Sequence, residues 1–176
     1  MKEKASKSED DIVLSDCLDL CRDSLSVLNA LFLSVRQQFA SRFQNCQKLS
    51  NTELEQNQFL AHGLAWFATY VEGLKQMLFW AEKLDAKGKF ALTEKLVLQI
   101  AFGEYLAQIR GGINMSQSEI IRITDFEIPK RELVSIGNQS WNILIRFGNS
   151  DKAKRRLSML LLETIGICSF ANDGLE

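Results

Sequence analysis

Apolar residues return at steps of three and four along most of this chain, in runs separated by short polar breaks. Val13, Cys17, Leu20, Cys21, Leu25, Leu28, Leu31, Phe32, Val35, Phe39 and Phe43 keep that step, which places them on one face of a helix. The spacing predicts a first helix from Asp10 to about Cys46, with Asp10 and Asp11 against the positive end of its dipole. Ser50-Asn51-Thr52-Glu53 reads as a capping box, a hydroxyl followed three residues later by a carboxylate. It predicts a second helix over about Asn51–Leu84. Leu60, Leu64, Phe67, Val71, Leu74, Leu78 and Ala81 form its stripe, and Trp66, Tyr70, Met77 and Trp80 widen it. A helix apolar on so much of its surface belongs at the centre, against more than one neighbour.

Asp85–Lys89 is polar and carries Gly88 as a stop signal. So short a link makes the third helix, about Leu92–Arg110, an antiparallel neighbour. Its stripe is Leu96, Ile100, Tyr105, Leu106 and Ile109. Gly103, in its interior, costs up to about 1 kcal/mol against alanine, a cost expected where another helix comes close. Gly111 and Gly112 then stop it, and two glycines permit positive φ and a close backbone approach.

Ser116 and Glu119 form a second capping box, predicting a short helix, while Ile120–Thr124 is β-branched and suits an extended segment. Ile128-Pro129 calls for an extended residue and then a fresh helix. That fourth long helix is predicted over about Lys130–Arg146, using Leu133, Ile136, Trp141 and Ile145, with Gly148-Asn149-Ser150 closing it. A fifth follows over about Asp151–Ile167, using Leu157, Leu160, Leu161, Ile165 and Cys168. The expected architecture is all-α: an antiparallel bundle of about four to five long helices over residues 10–168, with one irregular excursion at Gly111–Pro129. Residues 1–9 read as a disordered polar tail and residues 169–176 as a linker.

Composition agrees. The chain has 176 residues, 46% of them apolar and 24% charged, enough to bury a core. One proline favours long helices. A net charge of -1 supplies no electrostatic footprint for nucleic acid. The densest basic cluster, Lys152, Lys154, Arg155 and Arg156, has Asp151 beside it and reads as a solvated face. Apolar clusters such as Met159–Leu162 are far too short to span a bilayer, and no apolar core follows the lysine-rich first ten residues. The expected location is cytoplasmic, with no membrane partner. Cys17, Cys21, Cys46 and Cys168 lack zinc or redox spacing and read as reduced core thiols, the first two sharing one face.

Little in the chain looks like chemistry. His62, the one histidine, sits in an aromatic-rich helix and reads as a buried or half-buried structural residue. Glu72 and Glu104 are the carboxylates in the most apolar surroundings, and the expectation is that each pairs with a cation or points outward. No metal site and no catalytic residue is assigned.

Asn51–Gly112 resembles the C-terminal helical bundle of acyl-CoA dehydrogenases. There a long helix, a short Lys/Gly-containing loop and a second helix end in Gln-x-x-Gly-Gly. The matching residues here are Gln108, Ile109, Arg110, Gly111 and Gly112. The resemblance implies that Gln108, Arg110, Gly111 and Gly112 form a vestigial contact to the adenosine diphosphate part of FAD across a subunit interface. Three longer runs, His62–Glu72, Gln99–Gln108 and Gly111–Ile120, are similar to the N-terminal extension of the methylsuccinyl-CoA-type members of that family, flavoproteins of the ethylmalonyl-CoA pathway. Ser169–Glu176 is similar to the junction where their dehydrogenase fold begins.

The chain also departs from the family. The Tyr-Glu-Gly turn, whose glutamate abstracts the thioester α-proton, is replaced by Thr124-Asp125-Phe126-Glu127-Ile128-Pro129. The β-domain that covers the flavin has no counterpart. Desaturation of a C–C bond needs a base, a hydride acceptor and a thioester pocket together. The resemblance therefore implies a non-catalytic accessory domain without a cofactor of its own, FAD belonging to the family. Its partner would be a dehydrogenase core or a second copy, and its task assembly or access to the acyl-CoA and flavin site. The alternative is a free-standing helical scaffold or interaction protein unrelated to flavin chemistry.

Overall fold

A computed structural model describes residues 12–43 and 51–163. Three long helices carry the fold: α1 (Cys17–Ser41), α3 (Gln58–Ala86) and α4 (Leu92–Gly111), with the short α2 (Asn51–Gln56) leading into α3. α1 packs on α3, and α3 on α4. The face of α1 that is buried is Cys17, Cys21, Ser24, Leu25, Leu28, Leu31 and Val35, and Phe32 meets Phe67 of α3 edge-on at 5.4 Å. All-α and bundle-like, the fold matches the expectation from periodicity.

The boundaries differ in instructive ways. The first helix begins at Cys17 rather than Asp10 because Gln99 takes over the preceding backbone. The Leu14 N–H donates to Gln99 Oε1 (3.0 Å), and Gln99 Nε2 donates to the Ile12 carbonyl (2.9 Å). Those groups are thereby withdrawn from an added helical turn. The predicted second helix is interrupted at Asn57, which leaves helical geometry at φ -107° and ψ 11° while its side-chain amide donates to the Glu53 carbonyl (2.9 Å). Ser50 of the first capping box lies outside the described residues, as do the tail over 1–9, the linker over 169–176, Cys46 and Cys168.

The turn between α3 and α4 is set by Gly88, at φ 67°. Lys89 N–H reaches back to the Leu84 carbonyl and Gly88 N–H to Asp85, closing the helix by the pair of bonds a left-handed glycine makes possible. At the far end of α4 the two glycines play different parts. Gly111 is the last helical residue and has open space about it, whereas Gly112 adopts φ 129° with its backbone against Ile120.

The excursion after Gly112 is a two-stranded antiparallel pair, β1 (Ile113–Asn114) with β2 (Ile120–Ile121), followed by a 3-10 turn at Ile123–Phe126. The short helix predicted from Ser116 and Glu119 does not form. The Ser116 hydroxyl accepts from the N–H groups of Ser118 and Glu119, and Met115 N–H pairs with the Glu119 carbonyl, so the same residues close a hairpin. The extended reading of Ile120–Thr124 holds from Ile120 to Arg122, which has φ -111° and ψ 151°, and gives way to the 3-10 turn at Ile123.

The fourth long helix is likewise replaced by pieces: α5 (Lys130–Leu133), a 3-10 turn at Val134–Gly137, α6 (Gln139–Ile143) and a π turn at Leu144–Gly148. Side chains intervene where the ladder would run. Arg110 donates to the Ile136 carbonyl (2.7 Å), Asn142 to the Gly137 carbonyl (2.9 Å), and Asn138 caps α6 by accepting from Trp141 N–H (2.8 Å). Trp141 is thereby driven into the core, fully buried, with its indole N–H on the Ser24 carbonyl of α1 (3.3 Å).

α7 (Asp151–Glu163) closes the described chain against α4, and its predicted continuation to Ile167 lies outside the described residues. Only Ala153 of α7 is buried; Leu157 and Leu160 are half-buried, and Met159 and Leu162 are 54% and 66% exposed. The tight joint lies one segment earlier. A Cβ on Gly103 would stand 2.5 Å from the Leu144 carbonyl, and one on Gly148 2.9 Å from the Gln99 carbonyl. The interior glycine of α4 thus marks the close approach expected of it.

Candidate functional site at the C-terminal half of α4

The residues with polar or titratable ends collect where α4 faces α3 and the segment leading into α7. Glu104 and Gln108, one turn apart on α4, are the centre. Tyr70 of α3 donates its phenol O–H to Gln108 Oε1 (2.7 Å), and Gln108 Nε2 donates to Glu104 Oε1 (3.5 Å). Asn149 Nδ2 (2.7 Å) and Lys154 Nζ (3.2 Å) both donate to Glu104 Oε2. Tyr105 stands edge-on to Tyr70 at 4.5 Å, and Trp66 flanks Tyr70 at 6.2 Å. A chain of donors and acceptors thus crosses three helices on a half-exposed face. Helical spacing places Trp66 and Tyr70 on one face and Glu104 and Gln108 on another; only the packing of α3 on α4 joins the two.

The electrostatics follow from these contacts. The Asn149 amide, then Lys154, hold the Glu104 carboxyl below the usual carboxylate range despite partial burial, with a further contribution from Gln108. Burial, with Tyr105 adding to it, pushes the Tyr70 phenol up. Glu104 therefore pairs with a cation as expected, and an acid held ionised and donor-saturated is a poor proton acceptor for catalysis. Because its folded pKa is depressed, its contribution to stability is complete above the unfolded value and is lost as pH falls through the folded one. At 44% exposure of its side chain that contribution is below about 1 kcal/mol. Urea midpoints measured from pH 6 to pH 3 are expected to fall less steeply for Glu104→Gln than for the parent chain. Parallel curves would show that the Asn149 and Lys154 contacts carry no linkage.

Of the four residues that the family resemblance assigns to FAD, Gln108 and Arg110 bond to other parts of this chain, and Gly111 has open space about it. Gln108 has both ends of its amide engaged as above. Arg110 sends Nη2 to the Ile136 carbonyl (2.7 Å) and Nη1 to Asn142 Oδ1 (3.0 Å), with its guanidinium 6.0 Å from the centre of the Trp141 ring. Desolvation pulls its pKa below the ordinary guanidinium value. Gly112 N–H donates to the Gln108 carbonyl (2.7 Å), and Gly111 ends the helix. Arg110 thus fastens α4 to the segment around α6, and Gln108 joins α4 to α3.

Other candidates resolve individually. His62 is exposed, contrary to the expectation of a buried or half-buried residue, and its Nε2 accepts from Trp66 Nε1 (3.0 Å) one turn on. Glu72 points outward to Gln76 (2.6 Å) and Lys75 (3.4 Å), which lower its pKa in that order. At the position of the family's catalytic turn, Asp125 accepts from Arg122 N–H (2.8 Å), and Glu127, at φ 56°, pairs with Arg42 (2.9 Å). Neither acid joins the Glu104 cluster. Among the described residues no group of three His, Cys, Asp or Glu side chains is arranged to hold a metal ion. No described helix is long and apolar enough to cross a membrane. Sequence reasoning missed Gln99, fully buried with its amide bonded to Leu14 N–H and the Ile12 carbonyl. The signal available was a glutamine on the apolar side of a helix stripe, with Leu96 and Gly103 near it.

No family model matches the chain. The chain is 45% identical over 164 residues to (2S)-methylsuccinyl-CoA dehydrogenase of Cereibacter sphaeroides, an alignment that takes in 93% of this chain and 29% of that dehydrogenase. The chain thus spans less than a third of the length of the curated relative it matches.

Proposed function

We propose that this chain, a homologue of one segment of an acyl-CoA dehydrogenase, acts as a non-catalytic helical domain that packs against a dehydrogenase core. The observation that carries the reading is the shape of the alignment: nearly all of this chain, and 29% of the dehydrogenase. In this reading the flavin and the oxidation of the CH–CH bond belong to the core. The helical domain contributes to assembly or to access to the acyl-CoA and flavin site, in the cytoplasm. Two features of the chain support it. The Gln108 and Arg110 side chains bond to Tyr70 and to the Ile136 carbonyl, and Gly112 N–H to the Gln108 carbonyl, all within the chain. The exposed Met159 and Leu162 lie on α7 beside Lys152 and Arg155, a surface with apolar and cationic character together, as an association face requires.

Titrating purified chain into FAD is expected to leave flavin fluorescence unquenched at high-micromolar protein, while sedimentation with the homologous dehydrogenase core shows a complex. Leu162→Glu is expected to weaken that complex at least about tenfold and to leave the urea midpoint of the free chain unchanged. Saturable flavin quenching by the chain alone refutes the assignment of the flavin to the core. Failure to bind the core, at concentrations where the chain self-associates stably, favours the free-standing scaffold instead.

A further inference from the structure

Lys152, Arg155, Met159 and Leu162 follow one another along α7 at steps of three, four and three, so they line one stripe of the helix. All four are exposed. The inward side is fixed separately: Ala153 is buried, and Lys154 donates to Glu104 of α4 (3.2 Å). Glu163 is exposed as well. It stands eleven residues after Lys152, about three turns on, so the two lie on the same edge of the stripe. The stripe therefore opens on cations, passes through two large apolar side chains and closes on an acid. Among the described residues no ion pair engages Lys152, Arg155 or Glu163.

A surface that covers this stripe with its charges matched needs an acid opposite Lys152, a cation opposite Glu163 and apolar groups between. Those are the features of α7 itself, met in the opposite direction. In an antiparallel pair of helices related by a two-fold axis, residues at equal heights above and below the axis on one edge meet. With the axis level with Leu157 and Ser158, Lys152 of each copy falls opposite Glu163 of the other. Met159 and Leu162 then lie against Met159 and the aliphatic stem of Arg155 in the second copy. Each ion pair occurs twice. The stripe is one short helix face, well under the about 1,200 Å² of a stable interface, so such a dimer is weak and reversible.

We propose that the outward face of α7 binds a second copy of this chain in antiparallel register, Lys152 against Glu163, and that this contact excludes a dehydrogenase core from the same face. The exclusion rests on the association reading of α7; the pairing does not.

Sedimentation velocity of the full chain, from micromolar to high-micromolar concentration, tests both parts. A concentration-dependent dimer is expected. Lys152→Glu and Glu163→Lys are each expected to weaken it at least about fivefold, because each reversal turns two attractions into two repulsions. The chain carrying both reversals is expected to regain the parent dissociation constant within about twofold. None of these exposed changes is expected to move the urea midpoint. Adding the homologous core is expected to convert the dimer into a complex of one chain with the core. A chain that is monomeric at every concentration overturns the pairing, and if it binds the core nonetheless, the association reading stands without it. A dimer that ignores both reversals, or that the double reversal does not restore, has its contact elsewhere and overturns the pairing too. A dimer that persists within the core complex overturns the exclusion. A dimer that the double reversal restores but that has no affinity for the core supports the pairing and counts against the association reading instead.

Discussion

Trp141→Ala is expected to lower the free energy of unfolding by about 4 kcal/mol, within the range for truncating a buried tryptophan. Trp141 is the largest fully buried side chain among the described residues. Its loss opens a void between α6 and α1. It also removes the indole donor from the Ser24 carbonyl (3.3 Å) and the ring face beneath Arg110. Those losses compound because Arg110 holds the Ile136 carbonyl and Asn142 in the same segment. With total stabilities of about 5–15 kcal/mol, the variant stands near the edge of folding. Trp141→Phe keeps most of the volume and is expected to cost only about 1–2 kcal/mol. Urea denaturation followed by far-UV circular dichroism reads both. A loss below about 1 kcal/mol for the alanine variant would mean that the segment around α6 packs against the three long helices without bearing on their stability.

Gly103→Val is expected to cost about 3 kcal/mol, at the upper end of overpacking effects, although valine is the better helix former. The added Cβ would meet the Leu144 carbonyl at 2.5 Å and Asn149 Cβ at 2.7 Å, with the Asn149 nitrogen at 3.0 Å. Two of those three atoms are backbone, so no rotamer change relieves the clash. The π turn at Leu144–Gly148 and α4 must separate, and Asn149 then loses Glu104. Gly111→Ala is the matched control. Open space surrounds that position, and Gly111 is helical, so the expected change is neutral to about 1 kcal/mol stabilising. If both glycines tolerate substitution equally, the close joint between α4 and the π turn is not a feature of the folded state in solution.

The contrast between those two glycines marks how far sequence pattern reaches. The stretches behind α1 and α3 hold a three-to-four step for five or more turns, so burial and helix formation ask for the same residues there and pattern alone finds them; in α4 the helix was legible but its buried face was not, since Leu98, Gln99 and Phe102 are buried and Tyr105 is exposed. Gly88 was legible as a stop for the same local reason, since only a left-handed residue closes that helix end. The segment over Lys130–Arg146 has the right period too. It breaks because Arg110 and Asn142 bind the carbonyls of Ile136 and Gly137, and Arg110 comes from another helix. Ser116 and Glu119 fit a helix cap and a hairpin turn equally well, and the pairing of Ile113 with Ile121 selects the turn. His62 lies on an aromatic helix, but its own face looks outward.

The candidate site divides in the same manner. Gln108, Arg110, Gly111 and Gly112 were visible as a motif, and Glu104 as a carboxylate needing a partner. That the partners are Asn149 and Lys154, and that Gln108 is met by Tyr70, depends on contacts across 38 to 50 residues of chain, which no local pattern encodes.

The amino-acid sequence by itself determined the all-α class, the three long helices and the glycine-closed turn between two of them. These follow from short-range periodicity, capping and composition. Tertiary structure alone decided where the fourth helix breaks, which glycine is a joint and which is open, and which groups Gln108 and Arg110 bond. Each of those turns on which distant side chain reaches a backbone carbonyl first, and that competition is settled only when the helices are packed.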